Sequence, residues 1–280
     1  SKFPKSSEDN TGIMSGSLLQ VSVNDHSIVF YNILTKFNDF GKLENIDSEF
    51  KSKVFEEFTK RSISTVKKDW GQFLTPRNVI DSIIEISGIE NLDDGSKICD
   101  PACGVGGFIL EPMRTTSEGV KSFFNINKGK LVPKHNFIGF DKGFEKEQKL
   151  TIVLAKANML MFLSDLLKVN PSLTHQFSDV FNDTFKLITN SVLGTLNITD
   201  NDQYDLIFSN PPYSVSGSGV LTKLINADGR LKEFYQINGT GPEEKFLEWI
   251  INSIKPNRKA FVIIPDGILL RQHSDKLRKF

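Results

Sequence analysis

The chain has 280 residues, 39% hydrophobic and 24% charged, which excludes a disordered or collagen-like polymer and leaves enough length to bury a substantial core. Lys+Arg and Asp+Glu both number 34, so the formal charge is zero; a stand-alone nucleic-acid binder is usually basic, so any polyanion handled here needs local positive patches or a partner. Two cysteines, Cys99 and Cys103, exclude a disulfide scaffold and lack the second ligand pair of a zinc site. No uncharged apolar run approaches the roughly 18 residues of a membrane span. Lys2 and Lys5 lead into polar residues rather than an apolar signal segment, which reads as a cytoplasmic chain. Ser1 at the start and a basic, helix-like stretch ending at Phe280 are what processing or a fragment of a longer chain would leave.

Residues 1–17 are polar and Ser-rich; from about 18 to 70 the chain reads as mainly helical. Phe50, Val54, Phe55 and Phe58 recur at helical spacing among charged residues, as in an amphipathic packing helix. At Thr75-Pro76 a hydroxyl N-cap followed by proline predicts a helix start, with Val79, Ile80, Ile83, Ile84 and Ile86 as its apolar residues. Strands are predicted at Lys97–Cys99, ending on Asp100, and at Phe137–Phe140, ending on Asp141, with 114–136 as an inserted loop between them. A long helix follows over Phe144–Leu163, a strand end near Asp179, a strand over Tyr204–Ser209, a helix over Glu243–Ile254 and a strand over Ala260–Ile264. Strands alternating with helices predict an α/β fold with a mostly parallel sheet. Ligands of such sheets lie beyond the carboxyl ends of the strands.

Two turns sit at such ends. Asp100-Pro101-Ala102-Cys103-Gly104-Val105-Gly106-Gly107-Phe108 is a glycine turn between strand and helix, where the backbone can bend tightly and approach a ligand. Ile109 stands where a dinucleotide fingerprint needs its third glycine, and neither Gly-Lys pair has a P-loop glycine before it, so NAD and ATP are unsupported. An acid before a glycine turn suits a cationic ligand such as S-adenosylmethionine, and Asp141 suits a ribose diol. In the second turn, Asn210-Pro211-Pro212-Tyr213, two prolines fix two φ angles and remove two donors. This leaves free carbonyls, an amide and a flat ring, the groups that hold an aromatic amine or amide. Each turn on its own is also compatible with a plain strand connection.

The order Gly71-Gln72-Phe73-Leu74-Thr75-Pro76, the glycine turn, then Asn210–Tyr213 resembles the amino-DNA methyltransferases acting on adenine, and more narrowly the methylation (M) subunits of type I restriction–modification systems. Leu154-Ala155-Lys156-Ala157-Asn158-Met159, Phe246-Leu247 and Ile263-Ile264-Pro265-Asp266-Gly267 are similar too. The resemblance covers about 65–280 and departs from the family at Phe140-Asp141, where an amide and Glu are common. It implies a Rossmann-like S-adenosylmethionine-dependent methyltransferase domain over 66–280, possible truncation at its end, and an N-terminal helical region over 1–65. It implies an adenine-specific DNA methyltransferase (EC 2.1.1.72 type) of a bacterial or archaeal cell. It also implies double-stranded DNA as substrate, with a specificity (S) subunit and a restriction (R) subunit as partners. Asn210, Pro211, Pro212 and Tyr213 would be catalytic. The cofactor would meet Gln72, Phe73, Leu74, Thr75, Asp100, Ala102, Cys103, Gly104, Gly106, Gly107, Phe108, Asp141, Lys142, Asp179, Val180, Phe181 and Asn210; no metal is expected.

Hydrogen bonds from the adenine amine to Asn210 Oδ1 and the Pro211 carbonyl would draw density to nitrogen, with the base flipped out onto Tyr213. The same turn occurs in protein glutamine and RNA methyltransferases, which the Gly-Gln-Phe-Leu-Thr-Pro and Asp-Pro-Ala-Cys-Gly segments argue against. A non-enzymatic cofactor-binding scaffold is the third reading. His26, His135, His175 and His273 share no motif, Cys103 reads as a small filler, and Glu243 and Glu244 as solvated helix caps. Residues 255–280 hold seven basic residues against two acidic ones, a dense basic stretch.

Overall fold

The computed structural model describes residues 75–279 except 117–118, 143–145, 214–217, 238 and 271–273, together with Glu57. The N-terminal helical reading, the Phe50–Phe58 helix, Gln72, Phe73, Leu74, His26 and His273 lie outside the described residues.

Helix α1 (Arg77–Ser87) opens the fold and buries Ile80 and Ile84. Pro76, not Thr75, is its N-cap, and no side chain caps it; Gly88 closes it in the left-handed region at φ 72°. Strand β1 (Lys97–Asp100) leads through the glycine turn into two short helices, α2 (Gly107–Leu110) and α3 (Pro112–Thr115). The segment expected as a plain loop instead contains an antiparallel hairpin of β2 (Phe124–Asn127) and β3 (Lys130–Pro133), anchored by Phe123, Phe124 and Leu131 in the core. Strand β4 (Asn136–Lys142) and helix α4 (Lys146–Phe162) follow, then α5 (Ser164–Val169), α6 (Phe177–Thr184) and β5 (Phe185–Ile188). Strand β6 (Tyr204–Ser209) is buried at every position, as a central parallel strand covered on both faces must be. Helices α7 (Ser218–Ala227), α8 (Gly229–Phe234) and α9 (Pro242–Ser253) lead to β7 (Ile254–Val262), and α10 (Asp266–Leu270) and α11 (Asp275–Lys279) end the described chain.

The main sheet has five strands in the order β5-β4-β1-β6-β7, all parallel. Strand β7 starts earlier than its apolar run suggests. Tyr204 pairs with Ile254 but Leu206 with Lys259, so a bulge holds Pro256, which has no N–H, and Asn257 at φ 61°. Alternate residues feed two cores: Ile98, Leu206 and Phe208 pack with α1, α4 and α6, while Cys99, Ile207 and Phe140 pack with Trp249 and Phe246 of α9. Trp249 is fully buried and donates from Nε1 to the Ile198 carbonyl at 2.8 Å. No described helix is long and apolar enough to cross a membrane.

The chain reverses direction across the sheet between β1 and β6: β4 and β5 lie on one side of β1, β6 and β7 on the other. Such a switch leaves a crevice beyond the carboxyl ends of those two strands.

Candidate active site

The glycine turn is shaped by what lies beneath it. Cys103 N–H donates to the Phe140 carbonyl at 2.9 Å, laying the turn over β4. Gly139 makes room, because a Cβ there would come within 2.9 Å of Cys103 Cβ. Gly106 stands at φ 84°, where a Cβ would strike the Phe185 ring at 2.9 Å, so it is a packing requirement of the core. Gly104 differs: its φ is 53° and a Cβ would meet nothing within 4 Å. Ala102, Gly104 and Val105 are half-buried, and they form the open edge of the turn. Cys103 is buried and its thiol is pushed up by burial and by Asp141, so it stays protonated and fills space as expected.

Two side chains from distant elements hold this turn in shape. Thr195 Oγ1, in a short 3-10 turn, donates to the Pro101 carbonyl at 2.7 Å, and Asn158 Nδ2, from α4, donates to the Val105 carbonyl at 3.2 Å. Neither was assigned a role from sequence. A buried amide in an otherwise apolar helix face was the visible signal for Asn158; nothing local marked Thr195.

Asp100 is 2% exposed and accepts from the Ala102 N–H at 3.0 Å. Among the described residues no cationic side chain pairs with it. Burial pushes its pKa up to about 8, the Ala102 hydrogen bond opposing and the charge of Asp141 adding to the rise. Asp141, also buried, lies near the end of β4 and accepts from the Lys142 N–H at 2.7 Å. Lys142 is half-buried, its stem against Gly194.

Strand β6 delivers Asn210 directly after Ser209. Asn210 Nδ2 donates to Thr75 Oγ1 at 2.9 Å; the threonine hydroxyl expected to cap α1 is engaged by the second turn instead. The Tyr213 hydroxyl reaches Asn210 Oδ1 and, at 2.8 Å, the Ile263 carbonyl just beyond β7. Burial and Glu243 push the Tyr213 phenol up to about 12, so it is a donor. Pro211 is buried, and Pro212 and Tyr213 are half-buried.

Other expected contacts are redistributed. Asp179 does not end a strand: it is exposed in the first turn of α6, and the strand end on that edge is Ile188. Val180 and Phe181 are buried in the core, with the Phe181 ring 5.6 Å from that of Phe177. Phe108 is likewise a core residue, stacked on Phe208 at 5.4 Å, and Gly107 abuts Ile80. Glu243 and Glu244 open α9 but are buried rather than solvated. Burial raises the Glu244 pKa, yet hydrogen bonds from Ser274, Gly241 and Thr240 outweigh it and hold the carboxyl below its usual range. His135 is buried beside Phe123 and Phe137; His175 is exposed. No group of acids, histidines and cysteines fit to hold a metal occurs among the described residues.

The structure thus brings Thr75, the open edge of the glycine turn, Asp100, Asp141 and Asn210–Tyr213 to the carboxyl ends of neighbouring strands. Comparison with known proteins agrees in fold. A protein of Listeria monocytogenes, named as a class I S-adenosylmethionine-dependent methyltransferase, superposes with a TM-score of 0.54 at 15% identity, over 86% of this chain and 61% of that one. The methyltransferase subunit of a type I restriction–modification system from Streptococcus thermophilus gives 0.52 at 17% identity, over 84% and 44%. In sequence, the type I restriction enzyme EcoEI methylase subunit of Escherichia coli is 25% identical over 240 residues, 85% of this chain. The chain spans 41% of that relative's length. The sheet is therefore that of the Rossmann-like S-adenosylmethionine-dependent methyltransferases. Residues 47–279 match the family described as N-6 DNA Methylase. That match includes both turns and most of the chain, and the chain belongs to the N-6 DNA methylase family.

Proposed function

We propose that the chain transfers a methyl group from S-adenosylmethionine to the exocyclic N6 amine of a flipped-out adenine in DNA, residues 66–280 being the catalytic domain of a type I modification subunit. The observation that carries this reading is the pairing of β1 with β6, Cys99 opposite Ile207, which sets the glycine turn and the Asn-Pro-Pro-Tyr turn side by side.

The residues present fit the cofactor. Open space over Gly104 suits a ligand lying on backbone, and a buried carboxyl with no cationic partner among the described residues, Asp100, would ionise against a ligand with positive charge and no phosphate. Asp141 would accept from ribose hydroxyls, with Ala102 and Lys142 flanking. When bound, S-adenosylmethionine supplies an electrophilic methyl on a sulfonium.

Asn210 Oδ1 and the Pro211 carbonyl would accept the two N–H bonds of the target amine. A proline carbonyl at a rigid turn is held in place without a competing donor on its own nitrogen. An aromatic amine is a poor nucleophile because its lone pair is delocalised; two acceptors favour the pyramidal form that attack needs. The remaining task is alignment, where holding reactants in line supplies much of the rate. Tyr213 would stack on the extruded base, worth about 1–3 kcal/mol, comparable to the cost of unstacking it. A separate specificity subunit would choose the target adenine, with a restriction subunit as a further partner of the assembly.

The test is transfer of labelled methyl by wild type and Asn210→Ala, offered duplex DNA, RNA and protein acceptors. Label on adenine N6 in DNA, lost in Asn210→Ala while cofactor affinity holds within about twofold, supports the reading. Label on a glutamine or on RNA favours the other users of this turn, and normal transfer by Asn210→Ala removes the mechanism.

A further inference from the structure

We infer that Thr75 is a positioning residue for the catalytic amide: its hydroxyl accepts from Nδ2 of Asn210 and holds that amide where Oδ1 can face the target amine. The inference rests on reading Asn210 as the acceptor of the N6 proton.

A side-chain amide has two ends of nearly equal size and opposite hydrogen-bonding character. Turned by half a rotation, Asn210 would point an N–H at an N–H, and the site would repel the group it must polarise. In the structure its two neighbours pair with it in the productive sense. Thr75 Oγ1 lies 2.9 Å from Nδ2 on one side, and the Tyr213 hydroxyl, a donor, lies against Oδ1 on the other. The tyrosine has a single proton and a second acceptor within reach, the Ile263 carbonyl at 2.8 Å. Tyr213 can therefore release Oδ1 to an incoming amine while Thr75 keeps hold of Nδ2.

Thr75 is well fixed for this purpose. It stands two residues ahead of α1, whose Arg77 Nε lies 3.3 Å from Glu111 Oε2, and Glu111 also pairs with Arg114 at 2.6 Å. Arg114 in turn reaches back to Asp81 of α1 at 2.5 Å. The helix that follows Thr75 is thereby tied to the segment that continues the glycine turn. One strut then links the cofactor side of the site to the amine acceptor.

Thr75→Val keeps the shape and removes the hydroxyl; Thr75→Ser keeps the hydroxyl. In the transfer-competent assembly, Thr75→Val should lower turnover roughly tenfold, the scale of one oriented neutral hydrogen bond, and Thr75→Ser should restore it. For Thr75→Val the loss in turnover should exceed any rise in the cofactor dissociation constant measured by calorimetry, and Thr75→Ser should restore both. In the ligand-free protein, the Asn210 side-chain NH2 signals should exchange slowly with solvent in wild type and Thr75→Ser, and fast in Thr75→Val. Unchanged turnover in Thr75→Val, a loss confined to cofactor affinity, or unchanged NH2 protection overturns the inference. A wild type that leaves adenine N6 unmethylated overturns the reading of Asn210 itself, while the exchange measurement still decides the Thr75 bond.

Discussion

At Asp100 burial works against charge, and the consequence is a pH dependence of known sign. The carboxyl titrates near 3.8 when exposed and about 8 in the fold. Below the lower value both states hold the proton and the fold bears no penalty. Between the two, the unfolded chain has lost its proton and the folded one has not, so stability falls as pH rises and levels off above about 8. Asp100→Asn has no proton to lose. Thermal melts from pH 5 to 8 should show wild type losing stability relative to Asp100→Asn by about a few kcal/mol; parallel profiles would mean that Asp100 is solvated. The same substitution should abolish binding of a cationic cofactor, and wild-type binding should release a proton at pH 7, measurable as a buffer-dependent heat.

Short elements do the positioning in this fold. The glycine turn is held by Thr195 at its start and Asn158 near its end, each reaching a backbone carbonyl that would otherwise lie unpaired. Thr195→Val should destabilise the protein by about 1–3 kcal/mol and weaken cofactor binding, and Asn158→Ala should do the same. Because both act on one turn, the double variant should cost less than the sum, measured by denaturant unfolding. At this scale the sequence was legible wherever the pattern was local. Strands β1, β4 and β6 are short apolar runs because both their faces are covered, and both turns declare themselves by glycine and proline. Where long-range contacts decide, local pattern misled. Phe177, Val180 and Phe181 have the spacing of a helix face, yet a strand end was expected there, and the real strand β5 is only four residues long. Thr75 has the look of a cap, but Asn210, 135 residues away, claims its hydroxyl.

At the scale of the whole molecule, several charges among the described residues are engaged in internal pairs. Four of the seven basic residues over 255–280 are matched: Lys255 and Arg258 meet Asp205 at 2.8 and 3.3 Å, and Arg278 and Lys279 meet Asp275. Asp205 stands at the amino end of β6, away from the proposed site, so the first of these clusters fastens the far edge of the sheet. With zero formal charge overall and no base-reading motif, this chain alone should bind duplex DNA weakly and with little dependence on sequence. Anisotropy titrations on duplexes of different sequence would check this; tight, selective binding would remove the need for a separate specificity subunit. The order of the strands also sets the order of assembly. Strand β1 gains β6 as its second neighbour only across a separation of 108 residues, between Lys97 and Asp205. Until that closure, a nascent chain carries its glycine turn on a strand with one open edge, which another chain can extend. Capacity to hold the methyl donor and capacity to hold the base would then arrive together, with the docking of one late strand.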